Sequence, residues 1–112
     1  MIDLVGYTEP TKDELSVDER TEKMFVNNEL IIGIDDWTMQ QELDSMIEEL
    51  GIKAPNFIEH LGEYQFKFEG KKSLRELKDI KDEILSYYEF VTGVCITYYN
   101  EETKDKKFER IY

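Results

Sequence analysis

EYQFKFE, residues 63–69, alternates aromatic and polar side chains with a period of two. Such alternation predicts a β-strand with one face in water and one buried face formed by Tyr64, Phe66 and Phe68. Gly62 marks a turn before this strand, and residues 57–61 form a second predicted strand. The two segments together are typical of a β-hairpin in the middle of the chain.

Two amphipathic helices flank this hairpin. The first is predicted to start with Asp35 or Asp36 as N-cap and to end before Gly51, with an apolar stripe of Met39, Leu43, Met46, Ile47 and Leu50. The second opens with a capping box from Ser73 to Glu76 and is predicted to stop at Gly93. Its apolar face comprises Leu77, Ile80, Ile84, Tyr88 and Val91.

The remaining extended segments lie near the two ends of the chain. KMFVNNELIIGI, residues 23–34, allows two interpretations. It is either a hairpin that turns at Asn27-Asn28, with residues 23–26 and 29–34 as arms, or a single bulged strand. Residues 93–100 and KFERIY, residues 107–112, are predicted strands, and residues 2–7 form a short strand or an edge-pairing tail.

This order of elements predicts an α+β fold with ferredoxin-like βαββαβ topology, an added C-terminal strand and an N-terminal hairpin. Both helices would pack on one face of an antiparallel sheet. Residues 1–112 are interpreted as a single globular domain, because 112 residues can bury a core of their own. Residues 8–22 are interpreted as an acidic surface segment with freedom to move, containing one helical turn.

Composition bounds the class of protein. Hydrophobic residues make up 40% of the chain and aromatic residues 12%, which predicts a globular rather than a disordered protein. The opening MIDLVGYTEP lacks the features of a signal peptide, and no apolar run approaches the roughly 20 residues of a membrane span. We therefore expect a soluble, cytoplasmic protein. The single cysteine, Cys95, is predicted to be a small core side chain.

Motifs for chemistry are absent from the sequence. His60 is the only histidine, and no serine or cysteine stands in a nucleophile motif. The six glycines match neither of the phosphate-binding loop patterns. Carboxylate pairs such as Asp35-Asp36 and Glu48-Glu49 lack the spacing of a calcium loop. The sequence predicts no enzyme, no cofactor and no metal site.

Charge is the most unusual property of the chain. The net charge is −12, and residues 1–50 carry 14 acidic and three basic residues, a balance of −11. Residues 51–112 carry 12 and 11, a balance of −1. A chain this acidic is repelled by nucleic-acid phosphates and by anionic membranes, so neither is an expected partner.

The first predicted helix concentrates this charge. GIDDWTMQQELDSMIEELG, residues 33–51, has six acidic residues and no lysine or arginine. Glu48 and Glu49 lie in the last turn, where the helix dipole disfavours carboxylates, and Asp44 and Glu48 form a like-charge i, i+4 pair. Residues 71–92 balance five acidic with five basic residues, so the imbalance is local to the first helix.

Charges that destabilise a helix, with no nearby residue to offset them, often mark a functional surface. We therefore predict that the first helix binds a basic protein, through Asp35, Asp36, Trp37, Gln41, Asp44, Glu48 and Glu49. Trp37 would serve as the aromatic anchor, since interface hot spots are enriched in tryptophan. The alternative is that Trp37 folds back against Ile34 or the sheet edge.

Three functions follow, in order of preference. The first is a small acidic inhibitor that blocks a basic, nucleic-acid-handling protein such as a nuclease, either as a toxin-immunity protein or as a DNA-mimic anti-defence protein. The second is a ligand-sensing or regulatory module with a pocket lined by Tyr64, Phe66, Phe68, Tyr87, Tyr88, Tyr98 and Tyr99. The third is an assembly subunit that pairs through an exposed strand at residues 107–112 or 2–7. The sequence fixes no oligomeric state.

Overall fold

A computed structural model of the protein describes residues 6–52, 55–59, 61–100, 102–103 and 105–110. A short 3₁₀-helix at Lys12–Glu14 precedes seven strands and two helices. In chain order these are β1 (Leu15–Val17), β2 (Met24–Val26), β3 (Glu29–Ile34), α1 (Gln40–Leu50), β4 (Asn56–Ile58), β5 (Glu63–Lys67), α2 (Leu74–Tyr87), β6 (Val91–Asn100) and β7 (Asp105–Arg110).

All seven strands belong to one curled antiparallel sheet built around β6. β3 and β2 lie end to end along one edge of β6, with Ile31 opposite Cys95 and Phe25 opposite Tyr98. β7 lies along the other edge of β6. β1 extends the sheet beyond β2, whereas β5 and then β4 extend it beyond β3.

The ferredoxin-like prediction is therefore wrong, although the mixed α+β class holds. The ten residues of β6 are longer than the six of β3, and the remaining length pairs with β2 and β7. Strand pairing of this kind is non-local, so the alternation of side chains within each strand did not predict it.

Residues 24–34 form one interrupted strand rather than a hairpin. β2 and β3 pair with β6 and not with each other, so the bulged-strand interpretation is confirmed and a hairpin at Asn27-Asn28 is wrong. The backbone N–H of Asn27 donates to the carbonyl of Glu14 at 2.7 Å, and the carbonyl of Asn28 accepts from the N–H of Phe68 at 2.7 Å. These backbone groups at the bulge thus form hydrogen bonds with Glu14, before β1, and with Phe68, after β5.

The helix ends differ in how well their sequences predict them. Gly51 ends α1 in the left-handed conformation at φ 69°, as predicted, but α1 begins after Met39 and not after Asp35 or Asp36. The Ser73 hydroxyl accepts from the N–H of Glu76 at 3.1 Å, which confirms the capping box of α2. α2 stops at Tyr87 rather than Gly93, because the chain must enter β6 and pair Val91 with Ile34.

Both helices contribute to a hydrophobic core on one face of the sheet. Its buried residues include Leu43 and Met46 of α1, Leu77 and Ile84 of α2, and the strand residues Phe25, Leu30, Ile32, Phe66, Val94 and Ile96. Met39, predicted to join this core, is 62% exposed because it precedes the first turn of α1. Within the described ranges neither helix is long and apolar enough to cross a membrane.

The second face of the sheet is covered by residues 6–9. Gly6, at φ 94°, passes so close to β4 that a Cβ there would lie 1.9 Å from the carbonyl oxygen of Phe57. Tyr7 packs edge-on against Phe108 of β7. Gln65, predicted to face water, is consequently fully buried. Residues 2–5 of the predicted N-terminal strand lie outside the described residues.

Candidate protein-binding surface

A tight turn leads from β3 into α1 and positions Trp37. The backbone N–H of Asp35 donates to the carbonyl of Phe90 at 2.8 Å, which fixes the turn beside the start of β6. The Asp35 carboxylate accepts from the N–H of Trp37 at 3.0 Å, and its carbonyl accepts from the N–H of Thr38 at 3.1 Å. Asp35 thus caps a turn rather than the helix.

Trp37 projects into solvent from this turn. Its exposed fraction is 89%, so the alternative in which it folds back against Ile34 or the sheet edge is wrong. Met39, two residues later, is also exposed. Burying a methionine is worth about 1.5–3 kcal/mol relative to leaving it in water, so each of these exposed side chains offers a partner binding energy.

The outer face of α1 carries carboxylates without cationic partners. Gln41, Asp44 and Glu48 are exposed, and their spacing in a regular helix places them on one face. Asp44 and Glu48 are separated by one turn, or about 6 Å along the axis. In the part of the chain that the structure describes, no ion pair is formed by any of five carboxylates, namely Asp35, Asp36, Asp44, Glu48 and Glu49.

The end of α1 meets the end of α2 in a cluster of tyrosines and carboxylates. The Tyr88 hydroxyl donates to Glu49 at 2.6 Å, and burial together with the Glu49 carboxylate raises the pKa of Tyr88 to about 12. Glu83 and Tyr87 join Glu49, Leu50 and Tyr88 around a cavity of about 180 Å³. Tyr87 is 77% exposed and provides a second aromatic side chain beside the carboxylates.

We call the resulting surface the acidic face, and it comprises the predicted residues Asp35, Asp36, Trp37, Gln41, Asp44, Glu48 and Glu49 together with Met39, Glu83 and Tyr87. Asp35, Asp36 and Trp37 lie on the turn before α1. Gln41 and Asp44 lie in the first half of α1, and Glu48 and Glu49 lie in its last turn. Sequence reasoning missed Met39, because its spacing from Leu43 resembles a core position. It also missed Glu83 and Tyr87, whose position beside α1 depends on the packing of the two helices.

The second face of the sheet contains a buried carboxylate, Glu29, and buried carboxylates are often found in active sites. Glu29 has no exposed surface, and its carboxylate accepts from Thr97 at 2.6 Å, from Gln65 at 2.8 Å and from the Tyr7 hydroxyl at 2.8 Å. Lys67 lies 3.6 Å away. Burial raises the pKa of Glu29, which these contacts only partly offset.

This network is structural. Glu29, Gln65 and Thr97 are all inaccessible to solvent, so a substrate would have no route to them. Gln65 also accepts from the N–H of Thr8 at 2.9 Å and donates to its carbonyl at 2.9 Å. The buried polar groups therefore hold the residue 6–9 segment against the sheet and leave few hydrogen-bonding groups unpaired.

Neither metal binding nor thiol chemistry finds support among the described residues. Among the described residues, no group of three or more His, Cys, Asp and Glu side chains could hold a metal ion. Cys95 is half-buried, and burial together with the Glu63 carboxylate raises the pKa of its thiol, which disfavours the reactive thiolate. His60 lies outside the described residues.

The surfaces proposed for the other two functions are only partly formed. Phe66 is buried in the core, Tyr87 and Tyr88 line the cavity beside Glu49, and Tyr98 and Tyr99 line a separate groove. The seven aromatic residues therefore do not line one common pocket in the described part of the structure. Of KFERIY, residues 107–110 belong to β7, which among the described strands pairs with β6 alone and leaves one edge unpaired.

No known protein family, curated protein or solved structure matches the chain. Function must therefore be inferred from the surfaces themselves.

Proposed function

We propose that the protein is a small acidic inhibitor that binds a basic, nucleic-acid-handling protein in the cytoplasm and blocks its nucleic-acid site. A toxin-immunity protein and a DNA-mimic anti-defence protein would both act in this way. The proposal rests on one observation: Trp37 is 89% exposed just before a helix whose carboxylates form no ion pair among the described residues.

Electrostatics supports a cationic partner. The like charges of Asp44 and Glu48 repel each other by roughly 0.2–0.5 kcal/mol, and the helix dipole adds a similar penalty at Glu48 and Glu49. A lysine- or arginine-lined surface relieves both penalties on binding. Nucleic-acid sites are lined with such residues, and opposite fields accelerate the encounter of the two proteins.

The exposed apolar side chains support a protein partner rather than a diffuse counterion cloud. Trp37 and Met39 lie at one end of α1, and Tyr87 lies near the other end beside Glu49 and Tyr88. The 11 residues of α1 span about 16 Å, which is the scale of a single interface core. Aromatic anchors surrounded by charged residues are typical of protein interfaces.

The test is capture of a partner by the tagged protein from lysate of its native cells, with identification by mass spectrometry. The triple variant D44K/E48K/E49K should abolish capture of a basic protein, and W37A should weaken it at least tenfold without changing stability. Because charge attraction steers the complex, capture should also fall as salt rises.

A matched control variant separates the acidic face from net charge. D13K/E59K/E102K changes three exposed carboxylates elsewhere by the same total charge. We expect it to retain capture. Equal loss of capture in the two triple variants, or retention by D44K/E48K/E49K with its fold intact, would exclude the acidic face as the binding surface.

A further inference from the structure

A groove between the β1–β2 connection and the start of α2 gathers positive charge in an otherwise acidic molecule. Its volume is about 520 Å³, within the range of small-molecule sites. Four basic residues line it, namely Arg20, Lys71, Lys72 and Arg75. They are four of the 14 basic residues in a chain of net charge −12.

These four cations lack the partners that lysines have elsewhere in the protein. Lys23, Lys67 and Lys106 each form an ion pair with a glutamate. No side chain of the four groove cations forms an ion pair or hydrogen bond with any residue in the described ranges. Like charges that face one groove repel each other, and an anion bound between them relieves that repulsion.

Two acidic residues also line the groove but do not neutralise it. The Asp18 carboxylate is occupied within its own loop, where it accepts from the N–H of Arg20 at 3.1 Å and from the Thr21 hydroxyl at 2.9 Å. Glu19 is exposed. The lining contains four positive and two negative residues, so its net charge is +2.

The backbone adds donors at the same place. The capping box of α2 uses the N–H groups of Ser73 and Glu76. The N–H groups of Leu74 and Arg75 have no acceptor within the helix, because the first turn of any helix leaves such donors free. The 14-residue α2 also directs the positive end of its dipole toward this groove.

We propose that this groove binds the phosphate group of a small phosphorylated ligand. A phosphate oxyanion matches several converging cations and free N–H donors, and arginine binds it in a bidentate manner. The exposed Val17 at the groove wall offers an apolar contact to the organic part of such a ligand. The inference is independent of the proposed inhibitor function, since the groove and the acidic face share no residue.

The experiment is a titration of the ¹⁵N-labelled full chain, followed by the NMR shifts of its backbone amides, with inorganic phosphate, pyrophosphate and adenosine monophosphate as separate probes. We expect saturable shifts at the amides of residues 18–20 and 71–76. Tighter binding of adenosine monophosphate than of inorganic phosphate would identify a phosphorylated organic ligand. Tighter binding of inorganic phosphate or pyrophosphate would identify a free oxyanion and overturn the organic part of the proposal.

Two double variants of equal charge provide the decisive comparison. K71A/K72A removes two groove cations, whereas K12A/K78A removes two other lysines without ion pairs to described residues. We expect K71A/K72A to weaken binding about tenfold or more and K12A/K78A to change it less than about twofold. If K71A/K72A does not fold, the single variant R75A is compared instead with K78A, which removes the same charge outside the groove. Shifts that do not saturate, or equal weakening in both doubles, would overturn the proposal.

Discussion

Two glutamates share the ammonium group of Lys67 and yet ionise differently. Lys67 lies 3.0 Å from Glu14 and 3.6 Å from Glu29. Burial opposes ionisation of Glu14, but bonds from the Thr11 N–H, Asn28 and Lys67 outweigh it and lower its pKa to about 2. Burial dominates at Glu29, which has no exposed surface, and raises its pKa. Access to water, rather than the shared cation, decides the sign of the shift.

These shifts predict opposite pH dependences for two single substitutions. The raised pKa of Glu29 means that its contribution to stability is complete below the usual value of 4.5 and is lost as pH rises through the raised pKa. The free energy of unfolding of E29Q, relative to wild type, should therefore increase as pH rises from 4.5. Urea denaturation between pH 4.5 and 8 measures this difference, and a difference that does not change with pH would contradict it.

E14Q provides the control for this pH series. The pKa of Glu14 is lowered from 4.5 to about 2, so its stabilisation is present above pH 4.5 and is lost as pH falls through about 2. E14Q should be less stable than wild type at pH 7, and the deficit should shrink toward pH 2. The two variants together distinguish a pH effect at each residue from a general effect of the network.

At the scale of the element, α1 retains charges that weaken it as a helix. Replacing Glu48 by lysine removes a carboxylate from the negative end of the dipole and converts its repulsion with Asp44 into attraction. We expect E48K to raise the free energy of unfolding by about 0.5–1 kcal/mol, measured by urea denaturation at low salt. Q41K, on the same face but in the first turn, should give no such gain. A loss of stability in E48K would contradict the claim that Glu48 destabilises α1.

The elements also show which features of this fold are encoded locally. The ends of helices at Gly51 and Ser73 depend on residues within a few positions, and the sequence predicted both. The end of α2 at Tyr87 and the pairing of β2 with β6 depend on distant segments, and the sequence predicted neither. The alternation of Gln65 with Phe66 predicted that Gln65 faces water. It is buried instead because residues 6–9, which are distant in sequence, cover that face of the sheet.

The same division applies to the candidate surfaces. The unbalanced carboxylates of α1 could be read directly from residues 33–51, and the structure shows them exposed and without ion pairs in its described part. The exposure of Trp37 depends on a turn that ends before the helix begins, so the helical wheel could not establish it. The basic groove could not be predicted, because Arg20 and Lys71 are distant in sequence and meet only in the folded chain.

At the scale of the whole molecule, stability and partner binding should respond to salt in opposite directions. With a net charge of −12, exposed carboxylates repel one another, and the screening length falls from about 30 Å at 0.01 M salt to about 3 Å at 1 M. The melting temperature should therefore rise with NaCl over this range. Capture of a cationic partner through the acidic face should fall over the same range, because the attraction is screened as well.

The two triple variants locate the source of that repulsion. Each replaces three carboxylates by lysines, so each changes the net charge from −12 to −6. If the repulsion is concentrated at α1, D44K/E48K/E49K should reduce the rise of melting temperature with salt more than D13K/E59K/E102K does. Thermal unfolding followed by circular dichroism at several NaCl concentrations measures this. If the melting temperatures of the two variants rise equally with NaCl concentration, the repulsion is spread over the surface. An electric field that is not concentrated at α1 would not steer a cationic partner toward that helix.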